Sequence, residues 1–215
     1  MDSSNLTIPP SNIQNEALRD RRWRQIVEAA VPLFTRQGFH QTTTRQMARA
    51  VGLSIGTLYE YVRTKEDVLL LTCHYVHSDL EGALRDALKA EGTAAARLEH
   101  AIRAFIAIVD RLQDYIVFTY AESKSLGPGR INVLLEREEA IAGIFAELLR
   151  EGADHGEFQL AETEVALTAH TITVLGHMWA FRRWALRKHY TLQQYTDAQV
   201  HTILSRLGAP PAAAQ

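Results

Sequence analysis

Apolar residues recur along this chain at intervals of three and four. Ile26, Ala29, Ala30, Leu33 and Phe34 form a first stripe, closed by Gly38. Leu98, Ala101, Ile102, Phe105, Ile106, Val109 and Leu112 form a second. Val165, Ala169, Ile172, Gly176 and Trp179 form a third, and Val200, Ile203, Leu204 and Leu207 a fourth. Such spacing puts each set on one face of an α-helix. No segment of strand length alternates with period two, so the pattern predicts an all-α chain of about nine helices. Gly38, Gly52, Gly92, Gly127-Pro128-Gly129, Gly152, Gly156 and Gly208 punctuate it. A long helix is predicted from about Lys65 to Ala90, and another from Glu164 to Lys188. The polar first residues, with Pro9-Pro10, and the Pro210–Gln215 tail read as flexible ends.

Composition adds little until it is divided. With 47% hydrophobic and 22% charged residues among 215, the chain is an ordinary globular sequence with material for a substantial core. The net charge is only −2. Between Leu18 and Lys65, however, nine basic residues stand against three acidic ones, giving +6 there and −8 elsewhere. A basic first quarter on an acidic remainder is the asymmetry expected when one end meets a polyanion. Cys73 is the single cysteine, which rules out an intramolecular disulfide and favours a reducing compartment. It is read as a small buried hydrophobe. No apolar run approaches the length of a membrane span and no signal peptide is apparent, so the expected location is cytoplasmic.

The basic segment contains the most informative stretch, Thr43 to Val62. Thr43 followed three residues later by Gln46 is a capping-box pattern that starts a short helix. Met47, Ala48 and Val51 give that helix an apolar face, and Gly52 ends it where a left-handed residue is required. Ser54 caps a second short helix running to Tyr61 or Val62. Two short helices joined by a glycine turn are either a DNA reader, with the second helix in the major groove, or a plain helical hairpin. Only the first accounts for the charge asymmetry. Leu53, Leu58 and Val62 hold the second helix on the first, leaving Ile55, Gly56, Thr57, Tyr59, Glu60 and Tyr61 more outward.

The run from Arg22 to Leu69 resembles the TetR family of regulators. The resemblance is carried by Ile26-Val-Glu-Ala-Ala30, Leu33-Phe34, Gly38-Phe39, Thr43, Met47-Ala48, Val51-Gly52-Leu53-Ser54, Gly56-Thr57-Leu58-Tyr59-Glu60-Tyr61 and Lys65-Glu66. It implies phosphate contacts from Thr44, Ser54, Tyr59, Tyr61 and Lys65, and groove contacts from Arg45, Gly56, Thr57 and Glu60. Val62 stands where the family has phenylalanine. The implied architecture is an N-terminal three-helix helix-turn-helix DNA-binding domain plus a C-terminal helical ligand-binding and dimerisation domain. On this sequence it divides into an arm over 1–17, the DNA-binding domain over 18–64, the helical domain over 65–208 and a tail over 209–215. The implied function is a repressor that binds a near-palindromic double-stranded operator as a homodimer and is released by a small effector.

Beyond residue 90 the resemblance is architectural. Ala169, Thr173, Gly176 and Ala180 form a small-residue strip that, with the Val200–Leu207 stripe, suits an isologous four-helix interface or the chain's own core. Trp179, Phe181 and Trp184 crowd beside Arg182, Arg183, Arg187 and Lys188. They read either as a site for an apolar ligand bearing phosphates or a carboxylate, or as core residues with cations at a helix C-terminus. This segment, with Glu122–Leu126 and Gly127-Pro-Gly, is similar to family members that answer to acyl-coenzyme A thioesters. Candidate ligand-binding residues are therefore Phe118, Phe145, Met178, Trp179, Arg182, Arg183 and Trp184, with an acyl-coenzyme A among the candidate effectors. The nine histidines show no metal-ligand spacing; His74 and His77, and His170 and His177, pair by position only. No catalytic motif and no cofactor is indicated. The alternatives kept open are a DNA binder without an effector and a small helical enzyme.

Overall fold

The computed structural model describes residues 13–209, so most of the 1–17 arm and nearly all of the 209–215 tail lie outside the described residues. Among the described residues there are ten α-helices and no strand. Helix α1 spans Glu16–Gln37, α2 Thr44–Val51, α3 Ile55–Tyr61, α4 Lys65–Leu88, α5 Ala94–Arg111 and α6 Gln113–Glu122. A 3-10 turn at Ser123–Leu126 leads to α7 (Pro128–Asp154), followed by α8 (Glu162–Phe181), α9 (Arg183–Leu186) and α10 (Leu192–Arg206). Local chemistry explains the boundaries. The Asn15 side chain accepts the Leu18 N–H at the start of α1. Thr93 and Thr191 cap α5 and α10 in the same way. Pro128 opens α7 directly after Gly127, whose φ of 76° favours glycine.

Packing divides the chain into two compact units. The first holds residues up to Val76 together with Asp114–Glu136; the second holds His77–Gln113 and Arg137 onward. Sequence reading divides the chain once, near residue 64. Packing divides it three times, each time within a helix: α4 and α7 begin in the first unit and end in the second, and α6 leaves the second unit after its first residue, Gln113.

The core of the first unit gathers Trp23, Ile26, Val27, Ala30, Val31 and Phe34 of α1 with Met47, Ala48, Leu58, Tyr61 and Val62, the start of α4, and Phe118 of α6. Cys73 is buried in this core. Val62, in place of the family's phenylalanine, packs there as well.

In the second unit α5 packs against α8 and α10. Phe105 of α5 lies edge-on to Phe145 of α7 at 5.5 Å. Its ring fills the space a side chain at Gly176 would need. This settles the orientation of the small-residue strip: Ala169, Thr173, Gly176 and Ala180 are buried within the chain, as are Val200, Ile203, Leu204 and Leu207. They form core, and the expectation that they form the dimer surface is corrected. The face of α8 left exposed carries Leu167 and Val174, each 64% exposed, and Phe181. The helix expected to run to Lys188 stops at Phe181. Arg182 adopts φ −110°, ψ 14°, and α9 follows as a separate turn. That break is held by Asp110, which accepts from Trp179 Nε1 at 2.7 Å and from Arg187 at 2.8 Å.

Candidate nucleic-acid interface

Helices α2 and α3 form a helix-turn-helix in which both ends of α2 and the start of α3 are satisfied locally. Thr43 accepts from the Gln46 N–H, while Gln46 Oε1 accepts from the Thr43 N–H at 2.8 Å. Gly52, at φ 77° and ψ 29°, returns its N–H to the Ala48 and Arg49 carbonyls. Ser54 accepts from the Thr57 N–H at 3.0 Å, and its hydroxyl lies 2.8 Å from that of Thr57. The far end of α3 is closed from α1, where Trp23 Nε1 donates to the Tyr61 carbonyl at 2.9 Å. Leu58 is fully buried beneath α3.

This packing leaves Ile55, Gly56, Tyr59 and Glu60 on one exposed face of α3, beside exposed Arg45 and Ser54 and half-buried Thr44 and Thr57. Tyr59 is 46% exposed, and its hydroxyl lies 3.3 Å from that of Thr44, joining α3 to α2. The surface offers hydroxyl groups, one guanidinium and a glycine without a protruding side chain, which suits contact with phosphate oxygens and base edges. Two residues expected there are placed otherwise. Tyr61 is only 5% exposed and belongs to the core, because the side of α3 that carries it is drawn onto α1. The Lys65 ammonium donates to the Phe39 and His40 carbonyls at 2.9 and 3.0 Å, above the Phe39 ring. It pins the corner between α1 and α2, with two of its three donors used.

The candidate ligand residues fall in both units. Phe118 belongs to the first unit, stacked on Phe34 at 5.2 Å. Phe145 and Trp179 are buried in the second, and Met178 is half-buried. Trp184 is 63% exposed with Arg182 over its ring at 5.0 Å, and Arg183 is half-buried. The fold also groups residues that sequence position does not. Buried His77 of α4 pairs with Glu138 of α7 at 3.0 Å, and buried His177 of α8 lies in their field. Burial pushes the His177 imidazole below its usual pKa; His77 adds to this and Glu138 opposes it. Among the described residues, no three His, Cys, Asp or Glu side chains form a group that could hold a metal ion. No helix there is long and apolar enough to cross a membrane. Asp67 is a further residue the sequence reading passed over. Its Oδ2 accepts the Arg63 and Thr64 N–H groups at the start of α4, while Thr64 Oγ1 accepts from the Asp67 N–H. The Thr64-x-x-Asp67 spacing, the same as in Thr43-x-x-Gln46, is the signal that would have found it.

Comparison with known proteins agrees with this geometry. Residues 26–71 match the family described as bacterial regulatory proteins, tetR family, and residues 91–184 match a tetracyclin repressor-like C-terminal domain. The HTH-type transcriptional regulator HbdR of Aromatoleum sp. (strain CIB) is 31% identical over 92% of this chain and 85% of its own length. A bacterial regulatory protein in the tetR family from Rhodococcus RHA1 superposes with a TM-score of 0.78 at 22% identity, covering 88% of this chain and 98% of its own. AibR, solved with isovaleryl coenzyme A and operator DNA, superposes with a TM-score of 0.70 at 18% identity, covering 84% of this chain and 97% of its own. With its helix-turn-helix closed at both ends and its outer face open, the chain belongs to the TetR family of DNA-binding transcriptional regulators.

Proposed function

We propose that this protein is a ligand-responsive repressor that binds a near-palindromic operator as a homodimer and leaves it when an acyl-coenzyme A thioester binds. The open face of α3 carries the DNA part of this reading. Thr44, Ser54 and Tyr59 meet phosphates there, while Arg45, Gly56, Thr57 and Glu60 face the groove. Lys65 has one ammonium donor left for a phosphate, whereas Tyr61 acts from within the core. The dimer is supported by the exposed residues Leu167, Val174 and Phe181, which recur every seven positions on α8 and leave one apolar stripe open to a second copy. The thioester reading draws on AibR, a neighbour of the same fold solved with isovaleryl coenzyme A and operator DNA. In this reading Arg182 and Arg183 pair with the phosphates of the thioester, Trp184 stacks on its adenine, and the apolar interior around Phe145 and Met178 takes the acyl group.

The test starts from a random duplex pool enriched on the purified full chain. The enriched sequence is expected to be a near-palindrome with half-sites about one helical turn apart. Short-chain, branched, long-chain and aromatic acyl-coenzyme A thioesters are then titrated against the complex. Release by at least one, with free coenzyme A inactive, is the expected result. Release by none of them, but by an uncharged apolar compound, would remove the thioester and the phosphate-pairing role of the arginines.

A further inference from the structure

Ile55, the first residue of α3, is 38% exposed. It belongs neither to the core of its unit nor to the half-buried residues packed against that core. Ile55 and Tyr59 stand four residues apart, as do Gly56 and Glu60, so all four share one exposed ridge. The hydroxyl groups along that ridge are engaged with one another. Ser54 Oγ lies 2.8 Å from Thr57 Oγ1 and accepts the Thr57 N–H at 3.0 Å, while the Tyr59 hydroxyl lies 3.3 Å from that of Thr44. Gly56 adds a second observation. Its φ is not positive, and a Cβ built there would meet nothing nearer than Ser54 Oγ, at 3.8 Å. Neither backbone strain nor crowding inside the protein calls for glycine, which weakens a helix relative to alanine. What the missing side chain provides is close approach from outside, and it provides it beside Ile55.

In a helix-turn-helix the opening residues of the second helix reach the base edges in the major groove. Isoleucine neither donates nor accepts a hydrogen bond, so it is blind to the donor and acceptor pattern displayed there. The apolar group that the groove does display is the 5-methyl of thymine. We propose that Ile55 is a specificity-determining residue that packs on the 5-methyl group of a pyrimidine, so that the reader recognises a methyl group as well as a hydrogen-bond pattern. This rests on the reading of the open face of α3 as the DNA-contacting surface, and it requires neither the dimer nor the effector. It also has a chemical corollary. 5-Methylcytosine carries the same methyl group at the same place on the ring, so a methylated cytosine should be favoured over a plain one at the position Ile55 reads.

The experiment uses the full chain and the duplex it enriches from a random pool. Each thymine of that duplex is replaced singly by deoxyuridine, which removes the methyl group and keeps the base pairing. The wild type is expected to lose about fourfold in affinity at one or more of these positions, the worth of one buried methyl group. Ile55→Ala should bind the two duplexes equally at such a position, with its melting temperature unchanged because the side chain supports no core. Ile55→Val should keep part of the difference. Placing a C·G pair at the same position should weaken wild-type binding, and 5-methylation of that cytosine should recover about fourfold, with no recovery in Ile55→Ala. A merely structural role for Ile55 would weaken binding to methylated and unmethylated duplexes by the same factor. The proposal is overturned if deoxyuridine costs the wild type nothing at every thymine. It is equally overturned if Ile55→Ala keeps the wild-type ratio, which would give the methyl group to another side chain, such as Thr57. A wild type that enriches no duplex would defeat the DNA reading of α3 and this proposal with it.

Discussion

Tyr59 and Tyr61 stand two positions apart on one short helix and end in different surroundings. Tyr59 presents its hydroxyl beside that of Thr44 on the open face, whereas Tyr61 is sealed against α1. Their truncations should therefore separate. Tyr59→Ala is expected to leave the melting temperature nearly unchanged while weakening operator binding by about 1.5–3 kcal/mol, the scale of a hydrogen bond to a charged phosphate. Tyr61→Ala should lower stability by about 3 kcal/mol or more, as loss of a buried aromatic ring does. Equal melting temperatures in the two variants would contradict the assignment. Thr57, held by Ser54, should behave differently again: Thr57→Val is expected to change base preference more than affinity, read by re-enrichment from a random pool. His177 carries a prediction about acidity. Burial holds its folded pKa below the ordinary 6.5, so an unfolded chain takes up a proton that the folded chain refuses. Its contribution is complete above pH 6.5 and shrinks as the pH falls toward the folded value. Melting temperature should thus decline as the pH falls below 6.5, and less steeply in His177→Gln. Parallel profiles would exclude His177 as the source.

Helix α8 shows how two demands meet on one element. Its inner face gives up a side chain at Gly176 so that the Phe105 ring can lie against the backbone, and Phe105 is wedged in turn between Phe145 and His177. Gly176→Ala gains about 1 kcal/mol in helix propensity but overpacks a ring with no room to retreat. The net expectation is a loss of about 1–3 kcal/mol in urea unfolding, with the dimer dissociation constant unaltered. A stabilised variant would mean the ring moves freely. The strip was visible in the sequence as small residues at helical spacing, but its direction was not, because an inner and an outer strip look alike until the partner is known. The same limit applies elsewhere. The start of α2, its glycine stop and the start of α3 were legible because each is satisfied within four residues. The inward turn of Tyr61 depends on packing against α1, where Trp23 lies 38 residues away. The meeting of His77 with Glu138 depends on helices 61 residues apart. Chemistry of that kind is written in tertiary contacts, and spacing along the chain does not reveal it.

At the scale of the whole molecule, the exposed α8 stripe should decide the oligomeric state. Leu167 and Val174 lie one heptad apart on α8, each 64% exposed. Leu167→Lys with Val174→Lys should give a folded monomer in sedimentation at micromolar concentration, since two charges would have to be desolvated in each copy. Operator binding should fall with dimerisation, because a single reader contacts half as many phosphates. A dimer unchanged in this variant would place the interface elsewhere. The buried Cys73 has a consequence of another kind. It is the only thiol in the chain, and it sits inside the core that joins α1, the helix-turn-helix and the start of α4. A thiol-reactive dye meets it only when that core opens, so the rate of labelling is a clock for how often the DNA-reading half comes apart. The clock needs no engineered tag, and any duplex that binds the closed form must slow it.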